Sequence, residues 1–278
     1  QWADMMEKDL SIEGPNCTTE WEITAICQIH QLAKKFISPI KMNRWQKWAI
    51  AYCETQATRP FYYTGYNHEL LRCVAMHYCG QTFNRPDFKE YALHFCKQLL
   101  DYATPFGFWE EGPHHGTSMR YNYFSIQGLS WMHRFSGDKS IKKAAEKITN
   151  FMATYAYPDG STAGPLDGRQ SSTYSHNMFM TPGLEMTENG QALFYRHFQE
   201  YLKIIDQDFN WELLGNYFVI SALIYYKTYQ IKMPKNFSLP LDQDHTIESH
   251  HNLHEGIMQR KGDWVCCLSG HTGQIPKE

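Results

Sequence analysis

Two stretches of this chain repeat their apolar residues at the period of an α-helix cleanly enough to exclude an all-β fold. Phe88, Tyr91, Ala92, Phe95, Leu99 and Tyr102 fall at i, i+3, i+4, i+7, i+11 and i+14, and Ile141, Ala144, Ala145, Ile148, Met152 and Tyr155 repeat the idea. Each predicts a helix with one apolar face against a core. Less clean versions of the same period cover 19–36, 42–57, 67–79, 121–135, 188–204 and 212–229, with Pro86 and Asp138 as first-turn residues. The helical texture runs from Thr18 to about Thr228 and amounts to about eight helices. After Lys232 it breaks. The stretch Met233 to Pro240 is a breaker-rich linker, and Trp264 to Ser269 reads as a short strand. The expected organisation is a helical domain over 1–232, then a linker and the beginning of a β-sheet domain over 233–278.

With 278 residues, 42% of them hydrophobic, the chain can bury a core of one large domain or two modest ones. Twenty-six Lys and Arg against 29 Asp and Glu give a net charge of -3, which removes the uniformly basic surface that non-specific nucleic-acid binding needs. An acidic polymer would have to be met by a local patch. The eight cysteines are too dilute for a disulfide scaffold and form no C-x-x-C pair. The longest apolar run, Tyr217 to Tyr226, falls far short of the roughly 20 residues of a membrane span. No basic-then-apolar leader follows Gln1.

Two long connections, 104–118 and 157–187, are rich in Gly, Pro, His and aromatic residues, and ordered loops of that length usually carry function. The first contains Trp109, Glu110, Glu111, His114, His115, Arg120, Tyr121, Asn122 and Tyr123 and runs into a helix carrying Gly128 and Leu129. Gly and Pro let a backbone approach a ligand, Trp and Phe offer faces to sugar rings, and His, Arg and Tyr move protons or neutralise charge. That mixture suits a sugar acid. The second contains Asp159, Asp167, Gly168, Arg169, Thr173, Tyr174, His176 and Asn177; an Arg on a Gly-flanked turn fits bidentate recognition of a carboxylate or sulfate, or else a local pair with Asp167. Asn67, ahead of a helix, is either an N-cap or a carboxylate contact.

A third group, His245, Glu248, His250, His251, His254 and Glu255, matches no standard zinc spacing and reads as a polar loop, so no metal is assigned. Cys266 and Cys267 would point to opposite faces of a strand. His30, His77, His94, His133 and His197 sit within helical patterns and read as hydrogen-bonded structural residues.

Three motifs in order resemble the hyaluronate, chondroitin AC and xanthan lyases. Family members carry a Gly-Ser-Phe loop, a Gln-His, and a Tyr opening a helix that ends in Gly-Leu; Gly107-Phe108-Trp109, Tyr121 and Gly128-Leu129 are similar. A later Gly-Arg turn resembles Gly168-Arg169, and a basic pair before an aromatic strand resembles Arg260-Lys261 ahead of Trp264. Tyr62 to Asn67 stands where the family has a carboxylate-binding Asn. Gly112 falls where the family has its His, so His114 or His115 must serve from a displaced position, and pairing His114 with Tyr123 keeps the other spacing. Thr173 replaces the family's second Arg.

The resemblance implies a mainly α fold, an incomplete (α/α) toroid of helical hairpins leading into a β-sandwich, in a secreted or periplasmic protein that continues beyond Glu278. It also implies a polysaccharide lyase that cleaves an acidic, uronic-acid-containing polysaccharide by β-elimination without a cofactor. In that scheme Asn67 and Arg169 neutralise the carboxylate, Tyr121 is the acid, and His114 is the base or a second neutraliser. Trp109, His115, Arg120, Tyr123, Tyr174 and His176 line the groove. Two rivals remain open: a glycoside hydrolase using carboxylates among Glu110, Glu111, Asp159 and Asp167, and a non-catalytic glycan-binding domain.

Overall fold

A computed structural model of the chain describes residues 19–59, 66–110, 118–166, 181–207, 217–232, 237–251 and 254–269. Among them are eight α-helices: α1 (Thr19–Ala33), α2 (Pro39–Thr58), α3 (Tyr66–Thr82), α4 (Pro86–Leu100), α5 (Met119–Ser136), α6 (Lys139–Thr154), α7 (Glu188–Gln207) and α8 (Tyr217–Thr228). The boundaries have local causes. Ser38 caps α2 by accepting from the Lys41 amide at 3.3 Å, with Pro39 following in the first turn. Asp138, expected inside the first turn of α6, is its N-cap and accepts from the Ser140 amide at 2.8 Å. Gly137 ends α5 with φ +68°, a conformation open to glycine, and donates to the His133 carbonyl at 2.7 Å.

The helices sort into two kinds. On α4 and α6 one face is buried, through Phe88, Ala92, Phe95 and Leu99 on the first and Ile141, Ala145, Ile148 and Met152 on the second. On α3 every residue from Glu69 to Gly80 is buried, and on α5 every residue from Asn122 to Met132. These two are central helices. They run parallel and close together: His77 stacks on Phe135 with ring centroids 4.2 Å apart, and Tyr78 meets Trp131 at 5.3 Å. Trp21 of α1 packs on Phe124 at 5.6 Å near the start of both α1 and α5, and Gln31 bonds Thr82 near the ends of α1 and α3. On the other side of α5, Ser221 and Tyr225 of α8 meet Gln127 and Trp131. α8 also touches α1.

The region 245–255, expected as a polar loop, is a β-hairpin. Strands β1 (His245–His251), β2 (His254–Lys261) and β3 (Trp264–Ser269) form an antiparallel sheet in the order β1-β2-β3, with β3 at the bounds expected. Its inner face puts Ile247 and Met258 into the same core as the helices, and Gly256 lies against Leu166. Arg196 of α7 forms an ion pair with Asp242 at 2.8 Å, fixing the approach to β1. Cys267 is half-buried and Cys266 exposed, as alternation along a strand requires.

Candidate functional site

The loop after α4 is held by its own backbone. Thr104 donates to the Phe108 carbonyl through both its amide and its hydroxyl, at 2.8 and 3.0 Å, and Gly107 donates to the Thr104 carbonyl at 2.9 Å. Gly107 has φ +90°, and a Cβ there would lie 2.8 Å from the Lys147 side chain of α6, so glycine is required twice over. The turn drives Phe108 into the core against Phe151, with centroids 4.8 Å apart. Phe108 is therefore structural. Trp109 follows with its indole N–H donating to the Leu99 carbonyl at 2.9 Å, which fixes the ring.

Beyond this loop a small cleft, open to solvent, is lined by Tyr66, Asn67, Trp109, Glu110, Ser118, Tyr121, Asn122 and Ser125. Three elements build it. Tyr66 and Asn67 come from the first turn of α3, Trp109 and Glu110 from the loop, and the remaining four from the start of α5. Asn67 lies inside the first turn, one residue after the helix begins, and so does not serve as the N-cap. Ser118 occupies the N-cap of α5 without a capping bond from its hydroxyl. Two parallel helices thus aim their N-terminal ends at one cleft; the first turn of α5 holds no acidic residue, while that of α3 holds Glu69, which pairs with Arg72. The positive ends of helix dipoles favour an anion.

Below the cleft, α3 carries a buried charged pair. Arg72 and Glu69, 1% and 2% exposed, meet at 2.5 Å, and the guanidinium lies 4.4 Å from the Phe95 ring centroid. Burial raises the Glu20 carboxyl above its usual value and lowers the His68 imidazole, the latter helped by the Arg59 guanidinium. His68, next to Asn67, is therefore held neutral.

Of the residues expected in a site, Asn67, Trp109 and Tyr121 meet in this cleft. Tyr123 does not. It is 2% exposed, its ring stands edge-on to His197 at 5.5 Å, and burial pushes its phenol pKa well up. Two residues along a helix turn a side chain by about 200°, so Tyr121 and Tyr123 face opposite ways. Arg120 lies in the first turn of α5. His114, His115, Arg169, Tyr174 and His176 lie outside the described residues, as do Glu111 and Asp167. Asp159 accepts from the amide and hydroxyl of Ser161 at 2.8 and 2.7 Å and closes a turn. Glu110 lines the cleft.

Ser118, Asn122 and Ser125 add a polar edge that the motif reading missed. Their spacing of i, i+4 and i+7, which puts them on one face of the helix, was the available signal. Among the histidines read as structural, His133 pairs with the Asp138 carbonyl at 3.1 Å and His197 with the Gly160 carbonyl at 2.8 Å, while His94 is exposed. No group of three or more His, Cys, Asp or Glu that could hold a metal occurs among the described residues. No helix among them is long and apolar enough to cross a membrane. No family model, curated protein or solved structure matches the chain.

Proposed function

We propose that this chain carries the helical part of a secreted or periplasmic polysaccharide lyase that cleaves a uronic-acid-containing polymer by β-elimination. One observation carries the reading: Asn67, from one stretch of sequence, and Trp109 and Tyr121, from another, line one cleft. Elimination needs the C5 carboxylate neutralised, the C5 proton removed and the leaving glycosidic oxygen protonated. The Asn67 carboxamide and the N-terminal ends of α3 and α5 supply donors where the carboxylate develops enolate charge. Tyr121 donates its phenolic proton to the leaving oxygen. His114 is the base or a second neutraliser, and Glu110 and Ser118, which flank the segment containing it, both border the cleft. Arg169 completes neutralisation. The nearest described residues on either side of it, Leu166 and Thr181, lie against the sheet and against α8, so this role rests on the family resemblance alone.

The same reading takes the helices as an incomplete (α/α) toroid. It is supported by the parallel inner helices α1, α3, α5 and α8, by the return of α8 to α1, and by the one-faced helices α4 and α6 outside them. The β-strands then begin the sandwich region.

Glu110 in the cleft favours the hydrolase as the second reading, since a carboxylate beside a sugar is what that chemistry needs. One assay separates them. Incubation with hyaluronan, chondroitin sulfates, xanthan, heparin and ulvan will produce ultraviolet absorbance from an unsaturated uronate with at least one polymer. New reducing ends without absorbance would assign the cleft to hydrolysis, and binding with no product would make it a glycan-binding domain.

A further inference from the structure

Between Glu22 and Glu54 the sequence contains no acidic residue, yet it holds Lys34, Lys35, Lys41, Arg44 and Lys47. The structure folds this stretch into the turn joining α1 and α2. At its tip a single turn of 3-10 helix, Lys34–Phe36, buries no residue. Three large apolar side chains project there: Leu32 is 63% exposed, Phe36 75% and Ile40 79%. Scattered exposed apolar residues are ordinary, but three at one turn with Lys34, Lys35 and Lys41 among them make an amphipathic surface. Ile40, Arg44 and Lys47 fall at i, i+4 and i+7 on α2, so apolar tip and positive charge share one face. The Lys35 ammonium sits 4.9 Å from the Phe36 ring centroid, next to the residue it would accompany into an interface.

We propose that the α1–α2 turn docks this protein onto an anionic lipid bilayer, with Leu32, Phe36 and Ile40 entering the headgroup boundary and the surrounding cations meeting the lipid phosphates. Charge complementarity is local: the whole chain carries -3, while the stretch from Lys34 to Lys47 holds five cations and no acidic residue. The aliphatic Leu32 and Ile40 distinguish a lipid from an acidic polysaccharide as the partner. A sugar polymer uses cations and aromatic planes and gains nothing from exposed aliphatic tips, whereas the acyl boundary rewards their burial. The inference is independent of the lyase reading.

Cosedimentation of the 278-residue chain with vesicles tests it. The protein will bind vesicles of equimolar phosphatidylcholine and phosphatidylglycerol and leave phosphatidylcholine vesicles unbound, with binding weakened by salt. Lys34→Gln with Lys35→Gln will lower partitioning about 30-fold, from the loss of two charges at the surface. Phe36→Ser with Ile40→Ser will also weaken it, and because all four side chains are exposed both variants will melt like the parent. Absence of binding, equal binding to neutral vesicles, or parental binding by both variants would overturn the proposal. So would retention on an acidic polysaccharide column that the lysine variant abolishes without any vesicle binding, or a dimer that the Phe36/Ile40 variant disperses.

Discussion

At the scale of single residues, Asn67, Trp109 and Tyr121 share one cleft, while helical phase takes Tyr123 out of it. Asn67, Trp109 and Tyr121 were legible because their neighbours are unusual: an aromatic run before Asn67, a Gly turn before Trp109, a helix start at Tyr121. Tyr123 was grouped with Tyr121 by proximity along the chain, and a turn of about 200° sends it into the core. His77 shows how burial sets pH dependence. It is 7% exposed, stacked flat on Phe135, and burial with Lys89 nearby lowers its pKa from 6.5 to about 4. The unfolded chain takes up a proton below about 6.5 that the native imidazole refuses until about 4, so this residue's share of stability is full above that window and lost as pH falls through it. His77→Phe will abolish that acid-linked loss, so that by the acid end of the window the variant keeps up to roughly 3 kcal/mol that the parent gives up. Denaturant titrations of both proteins across the range check it; parallel stability profiles would show that His77 does not contribute.

At the scale of elements, the contrast between two helix pairs shows how burial shapes the periodic signal. The cleanest patterns, 88–102 and 141–155, belong to helices buried on one face only. The blurred ones, 67–79 and 121–135, belong to α3 and α5, which are buried all round and so have no polar face to sharpen the period. The hairpin 245–261 was hidden for a different reason. Its inward residues are few, chiefly Ile247, Gly256 and Met258, and the run of His and Glu around them reads as a solvated loop. Gly128 ties the central elements to the cleft. A Cβ there would lie 2.8 Å from Leu70 Cβ on α3, so the glycine sets the spacing of the two helices whose starts form the site. Gly128→Ala will destabilise the protein by about 1–2 kcal/mol despite alanine's better helix propensity, because overpacking opposes it. Urea unfolding measures this, and a gain in stability would show that the interface can yield.

At the scale of the whole molecule, helices and sheet share one apolar core, with Leu239, Leu241, Ile247 and Met258 joining residues from α1 to α8. The mainly helical class and the β3 strand were readable from apolar period and breakers alone. The gathering of two helix N-termini at one cleft was not, since it depends on which helices run parallel, and single-sequence periodicity carries no information on direction. To meet an acidic polymer, as proposed, a near-neutral chain has to concentrate its donors, and the cleft gathers Asn67, Tyr121 and the two helix starts. The most direct measurement is the rate of ultraviolet absorbance on the polymer cleaved fastest, compared among the parent chain, Tyr121→Phe and Tyr123→Phe. Tyr121→Phe is predicted to fall by a factor of about 100 to 10,000 through loss of the proton donor, while any Tyr123→Phe that folds keeps most of its activity. Absorbance appearing at the parental rate with Tyr121→Phe, or from no polymer with the parent chain, would contradict the assignment of this cleft to β-elimination.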